Sequence, residues 1–216
     1  MLSFNIEKSN CSGCGACYSI CPKQCISMVR DEEGFDYPEL TSPNTCINCK
    51  LCEKVCPINT SFHLTVTQRA FAAVTKDYSI WRRSASGGAF SEICKAWGDE
   101  NTFVVGAAWN GLDVHHIMVK GVDNIKPLCN SKYVASRIED TFREIRDKLT
   151  KNRVIFCGTP CQVSGLRTFL RKEYENLLTI DLICHGVGSP TVFKTCANLI
   201  SKQAGEQLQA YAFRAK

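Results

Sequence analysis

Two stretches of the chain, CSGCGACYSICP and CINCKLCEKVCP, share one spacing, C-x2-C-x2-C-x3-C-P. The first supplies Cys11, Cys14, Cys17 and Cys21 ahead of Pro22; the second supplies Cys46, Cys49, Cys52 and Cys56 ahead of Pro57. Equivalent cysteines lie 35 residues apart, so one short unit is repeated. This spacing holds iron–sulfur cubanes. Three thiolates two residues apart wrap a loop around one cube and turn backbone N–H groups towards its sulfides. The fourth cannot reach the same cube and crosses to the other. The pattern therefore assigns Cys11, Cys14, Cys17 and Cys56 to a first [4Fe-4S] cluster, and Cys46, Cys49, Cys52 and Cys21 to a second. The prolines fix the chain as it leaves each crossing ligand and deny it a helical hydrogen bond. Zinc would ask for independent sets of four, not two interlocked ones.

These runs define a bacterial ferredoxin-like domain over residues 1–64. Between them a hairpin is expected, with strands at 26–29 and 35–37 around a polar turn at 31–34, covering the clusters with Ile26, Met28 and Phe35. Cys25 falls outside the pattern and is read as a small buried hydrophobe beside a cluster. Fifteen cysteines in 216 residues is an odd number, clustered rather than spread as staples. The first ten residues lack a basic start and an apolar segment, and no apolar run approaches the roughly 20 residues needed to cross a bilayer. A cytoplasmic protein with no membrane span is expected, where thiols stay reduced and serve as metal or redox groups. The net charge of +5 is not gathered into a Lys/Arg block with interleaved aromatics, so nucleic acid is not an expected partner.

Beyond a boundary placed near residues 60–67, the cysteine density falls and strands alternate with helices. Strands are expected at 69–75 and 102–109, with a helix between them on which Phe90, Ile93, Cys94 and Trp97 recur at helical spacing. VHHIMVK reads as another strand whose His115 and His116 are surface or satisfied core residues. From residue 139 the order is helix, strand (RVIFC), helix (PCQVSGLRTFLRKE), strand (LLTIDLIC), helix (SPTVFKTCANLISKQ), which predicts parallel pairing. Cys196 is placed with Phe193 and Ile200 on the apolar face of the last helix. Cys157 and Cys184 then end neighbouring strands, so Cys157, Cys161, Cys184 and His185 are expected to converge in the crevice at the strands' carboxyl ends. Residues 158–161 open a helix, whose N–H groups suit a phosphate, a flavin edge or a thiolate.

Behind the two cysteine runs, SASGGAFSEI (residues 84–93), SKYVASRI (131–138), VIFCGTPCQVSGLRTFL (154–170) and TIDLICHGVGSP (179–190) stand in order. In this combination the chain resembles the family of coenzyme F420 hydrogenase/dehydrogenase beta subunits. The resemblance implies an α+β protein: the ferredoxin-like domain, then an α/β flavin-binding domain over 65–216, incomplete at its C-terminus because family members continue further. It implies FAD in that domain, exchanging a hydride with a small redox substrate, coenzyme F420 or a bacterial equivalent, and passing single electrons to the clusters. Carried over by position, Ser86, Gly87 and Gly88, then Ser131, Lys132, Tyr133 and Ser136, then Gly158, Thr159 and Pro160 line the flavin. Lys132 would meet the pyrophosphate and Tyr133 would stack. Cys161 and Cys184 match family cysteines, whereas Cys157 stands where relatives often place another residue.

The expected function is thus an FAD-dependent iron–sulfur oxidoreductase, with Cys161, Cys184 and His185 as candidate catalytic residues. Its partner would be a redox protein or a small electron donor or acceptor. A third iron–sulfur cluster held by Cys161 and Cys184, with Cys157 and Cys129, is a further candidate. Two other readings stay open. One is a non-enzymatic electron relay, which leaves the α/β body unexplained; the other is a cluster-driven dithiol reductase using Cys157 and Cys161.

Overall fold

The computed structural model describes residues 7–60, 68–208 and 211–214. The N-terminal unit is built around two short helices, α1 (Ala16–Ile20) and α2 (Leu51–Lys54), each starting inside a cysteine run, and a hairpin of β1 (Ile26–Arg30) and β2 (Asp36–Leu40). The strands pair antiparallel from Ile26↔Leu40 to Arg30↔Asp36, where the sequence places them. The expected boundary at 60–67 falls mostly on residues outside those described.

The second unit carries α3 (Tyr78–Arg82), α4 (Ala89–Trp97), β3 (Phe103–Asn110), β4 (Asp113–Lys120), α5 (Thr141–Lys148), β5 (Val154–Gly158), α6 (Pro160–Leu170), β6 (Leu177–Asp181) and α7 (Pro190–Ala204). One mixed sheet runs β4-β3-β5-β6, with β3–β5 and β5–β6 parallel and the β3–β4 hairpin antiparallel. It is buried on both faces, as a parallel centre requires. Val105, Val154 and Phe156 face one core, with α5 and α6; Val104 and Ile155 face the other, with Cys94 of α4. Adjacent residues of each strand serve opposite cores because side chains alternate.

Three expectations fail here. Residues 69–75 form no strand: the stretch is exposed, with Phe71 81% exposed, and its apolar residues find no partner strand among the described residues. β6 ends at Asp181, so Cys184 stands on an exposed loop beyond it. Cys196 is exposed rather than packed, because α7 turns Ala197, not Ile200, inward. Near the C-terminus, Tyr211 and Phe213 pack with Trp109 and Phe193 as an aromatic group.

The two units share one core. Ala16 and Val55 from the cysteine runs pack with Ile138, Phe142, Val163 and Leu166. An ionic clamp closes the other side: Asp36 accepts two hydrogen bonds from Arg30 (3.1 and 3.2 Å) and two from Arg137 (2.8 and 3.2 Å). Arg30 and Lys194 both reach Asp113, and Ser189 Oγ donates to the Glu33 carbonyl. Burial alone would raise the Asp36 pKa, but the two guanidinium groups outweigh it and hold the carboxyl below its ordinary value. A depressed carboxylate stabilises the fold above its unfolded pKa of about 3.9 and loses that contribution as pH falls through the lower folded value. Asp36→Asn should therefore cost about 1–2 kcal/mol at pH 7 and little once the pH is low enough to protonate the wild-type carboxyl. Denaturant melts at the two pH values check this.

Candidate metal centres and the strand-end site

Each cysteine run folds into a loop that cradles open space. The first concavity, about 320 Å³, is lined by Cys11, Cys14, Cys17 and Cys56 together with Met28 and Pro38. The second, about 480 Å³, is lined by Cys21, Cys46, Cys49 and Cys52, with Ile26, Leu40 and the fully enclosed Cys25. The structure thus brings together the two interlocked sets of four, with Cys56 and Cys21 each crossing to the other run's loop.

The loops repeat in backbone as well as in sequence. Gly13 and Gly15 take left-handed φ values of 66° and 77°, and Asn48 and Lys50, 35 residues on, take 52° and 57°. Left-handed residues at these places curl the chain so that its N–H groups line the hollow. Glycine accepts the conformation freely, asparagine tolerates it and lysine is strained. Glycine is needed at 13 for a second reason, since a Cβ there would lie 2.9 Å from the Asp36 carbonyl.

The first cradle is the drier. Burial pushes the Cys14 thiol up to about 11, against the N–H of Ala16, with Cys161 adding a little; burial also raises Cys17 and Cys11. In the second cradle burial opposes ionisation of Cys21, but N–H groups of Cys25, Lys23 and Gln24 outweigh it and lower the pKa. Cys25 N lies 3.3 Å from Cys21 Sγ, and the Cys25 thiol lies 3.3 Å from the Thr45 hydroxyl. Among the described residues no three His, Cys, Asp or Glu side chains are gathered closely enough for a single metal ion. Four thiols border each hollow, the number a [4Fe-4S] cube takes. The donor sets fit two clusters.

The strand-end residues divide differently from expectation. Cys157, Cys161 and Cys184 have separate neighbours. Burial pushes the Cys157 thiol up to about 12 beside Lys132, and Cys94, near Cys157 and Cys129, is likewise pushed to about 12 by burial. Cys161 lies 3.1 Å from the Thr159 hydroxyl and close to Cys14 of the first cradle. Cys184 and His185 stand on the exposed loop after β6. β6 ends at Asp181, so Cys184 leaves the strand end at which it was expected, and the first turn of α6 brings Cys161 near Cys14 of the N-terminal unit.

Of the residues assigned to a flavin, several already serve the fold. Lys132 donates to the carbonyls of Pro127 (3.0 Å) and Cys129 (2.7 Å), and burial lowers its pKa to about 8. Ser136 lies 2.8 Å from His116 Nδ1 and accepts from Gln162 Nε2 at 3.1 Å. His116 Nε2 donates to the Cys157 carbonyl across 3.2 Å, and its ring stacks on Phe156. Burial takes the His116 pKa down to about 4, so the ring is neutral and its two nitrogens play opposite hydrogen-bonding roles. Gln162 Oε1 accepts from Thr159 N at the start of α6; T-x-x-Q is a capping-box spacing and is the sequence signal for this link. Gly87 and Gly88 give room to residues 73–75 and Ile80. Exposed among the assigned residues are Ser131, Tyr133, 42% exposed, and Pro160, while Thr159 is half-buried and Gly158 is buried against Phe156 and Gln162.

Two family models match the chain: a 4Fe-4S dicluster domain over residues 10–60, and the C terminus of the coenzyme F420 hydrogenase/dehydrogenase beta subunit, over 151–216. The F subunit of F420H2 dehydrogenase from Methanosarcina mazei is 25% identical over 192 residues, 83% of this chain and 54% of the relative. The chain thus spans about half the length of that protein. An uncharacterised ferredoxin of Methanocaldococcus jannaschii is 39% identical over 54 residues, 25% of this chain and 68% of its own. The solved F420-reducing [NiFe] hydrogenase complex from Methanosarcina barkeri aligns over 62% of this chain and 49% of its own at 16% identity, with a TM-score of 0.47. No helix among the described residues is long and apolar enough to cross a membrane.

Proposed function

We propose that this chain, which belongs to the family of coenzyme F420 hydrogenase/dehydrogenase beta subunits and carries an N-terminal dicluster ferredoxin domain, is the electron-transferring part of an FAD-dependent iron–sulfur oxidoreductase. The observation that carries the reading is the shared core: the first cysteine cradle is packed directly on α6, whose first turn opens at the carboxyl ends of β5 and β6. A cluster held there stands between the body's ligand edge and the outer cradle. When bound, the clusters supply one-electron exchange and a flavin would supply the conversion between a hydride and single electrons.

The chain's own residues have narrower tasks. Cys11, Cys14, Cys17 and Cys56 hold the inner cluster and Cys21, Cys46, Cys49 and Cys52 the outer one. Tyr133 presents an aromatic face to a flavin and the Gly158–Thr159–Pro160 turn lines it, while Lys132 and Ser136 keep the segment that carries Tyr133 in place. The substrate is a small hydride donor or acceptor of the F420 type, and the outer cradle meets a redox partner.

FAD titration into anaerobically prepared protein tests the flavin. The reading expects about one flavin per chain, with retention weakened at least tenfold by Tyr133→Ala. Failure of the intact chain to bind FAD would leave the relay as the better account.

A further inference from the structure

The two cysteine runs repeat one another, yet their cradles meet different surroundings. The second opens outward, with Cys49 exposed and Ile47 59% exposed. The first is backed by α6, a helix that belongs to neither run and packs on α1 and on the turn after Cys56. In the middle of that helix is Gly165, buried. A Cβ built on it would lie 3.0 Å from Cys14 Sγ, 3.1 Å from Cys14 Cβ and 3.4 Å from Phe142. Its φ is not left-handed. The backbone would accept alanine, and helix propensity favours alanine over glycine. Glycine at this position therefore answers to space, not to conformation. Phe142 has no room to yield, being fully buried between Phe156 and Phe169. The Cys14 sulfur can turn away about χ1 while it is free, leaving a shift of a few tenths of an ångström to relieve the Cβ contact, but it cannot turn once it is bonded to iron.

We propose that Gly165 is a positioning residue for the first cluster: through the missing side chain in α6, the α/β body fixes where the Cys14 thiolate stands. The device makes the inner cluster responsive to the body and leaves its repeat mate alone. It rests on the reading of Cys11, Cys14, Cys17 and Cys56 as that cluster's ligands. Among the described residues nothing in the second cradle corresponds to it, because the outer loop has no helix of the body across it.

Gly165→Ala in the full chain, reconstituted anaerobically with iron and sulfide, tests this. Iron content, the EPR spectrum and midpoint potential of each cluster after dithionite reduction, and the melting of cluster-free protein are compared with wild type. Cys49→Ser identifies the second cluster's signals. The expected result is a shifted potential or a lost signal for the first cluster, an unchanged second cluster, and cluster-free protein that melts no lower than wild type. Unmoved signals from both clusters, or equal changes in both with a lowered cluster-free melt, would overturn it. Wild-type protein that binds far fewer than about eight irons would instead bring down the ligand reading beneath it, and this inference with it.

Discussion

Cys56→Ser is expected to remove the first cluster and spare the second, although Cys56 stands in the second cysteine run. The reason is the crossing: Cys56 lines the hollow of Cys11, Cys14 and Cys17, while Cys21 lines the hollow of Cys46, Cys49 and Cys52. A serine hydroxyl is a hard, weakly acidic donor and does not replace a soft thiolate on iron. Iron content should fall from about eight to about four per chain, with the surviving signal the one that Cys49→Ser abolishes. The variants should also part in stability. Cys56 is 7% exposed and borders Val55, which packs into the core shared with α5 and α6; metal binding there is folding free energy for both units. Cys49 is exposed on the outer loop. Cys56→Ser should lower the melting temperature of the whole chain, whereas Cys49→Ser should leave it close to wild type. Retention of the first cluster in Cys56→Ser would show that each run serves its own cube.

Both cysteine runs, the hairpin between them and the alternation from α5 to α7 are legible because each is written in local spacing: two-residue steps between thiols, period two in strands, three to four in helices. The interlocked ligand sets are legible too, since a repeated C-x3-C cannot close on its own cube. What the chain does at long range is not. Residues 69–75 have the composition of a strand, but a strand exists only through a partner, and this stretch has none among the described residues. The expected place of Cys184 at a strand end needs LLTIDLIC to be strand throughout; β6 stops at Asp181 and leaves Cys184 on the exposed loop beyond it. The clamp of Asp36 by Arg30 and Arg137 joins positions 101 residues apart, and nothing near either one announces it. Lys132 and Ser136 show a subtler limit. Their motif reads as ligand-facing, but a half-buried ammonium and a half-buried hydroxyl must first satisfy themselves, and here carbonyls and His116 do so. Gly165 is an ordinary small residue of a helix in the sequence, and only the approach of Cys14 gives it a reason.

Phe142→Ala should be the most damaging single change in the body, and its effect should reach the metal. Phe142 is 0% exposed and sits where the layers meet: edge-to-face on Phe156 of β5 at 5.9 Å, tilted on Phe169 of α6 at 5.9 Å, and beside Gly165 opposite Cys14. Truncating a buried phenylalanine costs about 3–5 kcal/mol, the lost transfer energy plus the cavity left behind. Against a total stability of roughly 5–15 kcal/mol that is a large fraction. α5, α6 and the central strands would each lose packing on the same side, so the hollow would be relieved only by movement of α6. That helix backs the first cradle through Gly165 against Cys14. Cluster-free Phe142→Ala should therefore melt well below wild type, by denaturant or heat. Reconstituted protein should lose iron from the first cluster faster than from the second, followed by the decay of each EPR signal under a chelator. Phe142→Leu, which keeps most of the volume, should recover most of the stability and slow that loss. Equal rates for the two clusters in Phe142→Ala would mean that the inner cradle stands on its own loop and owes nothing to the helix behind it.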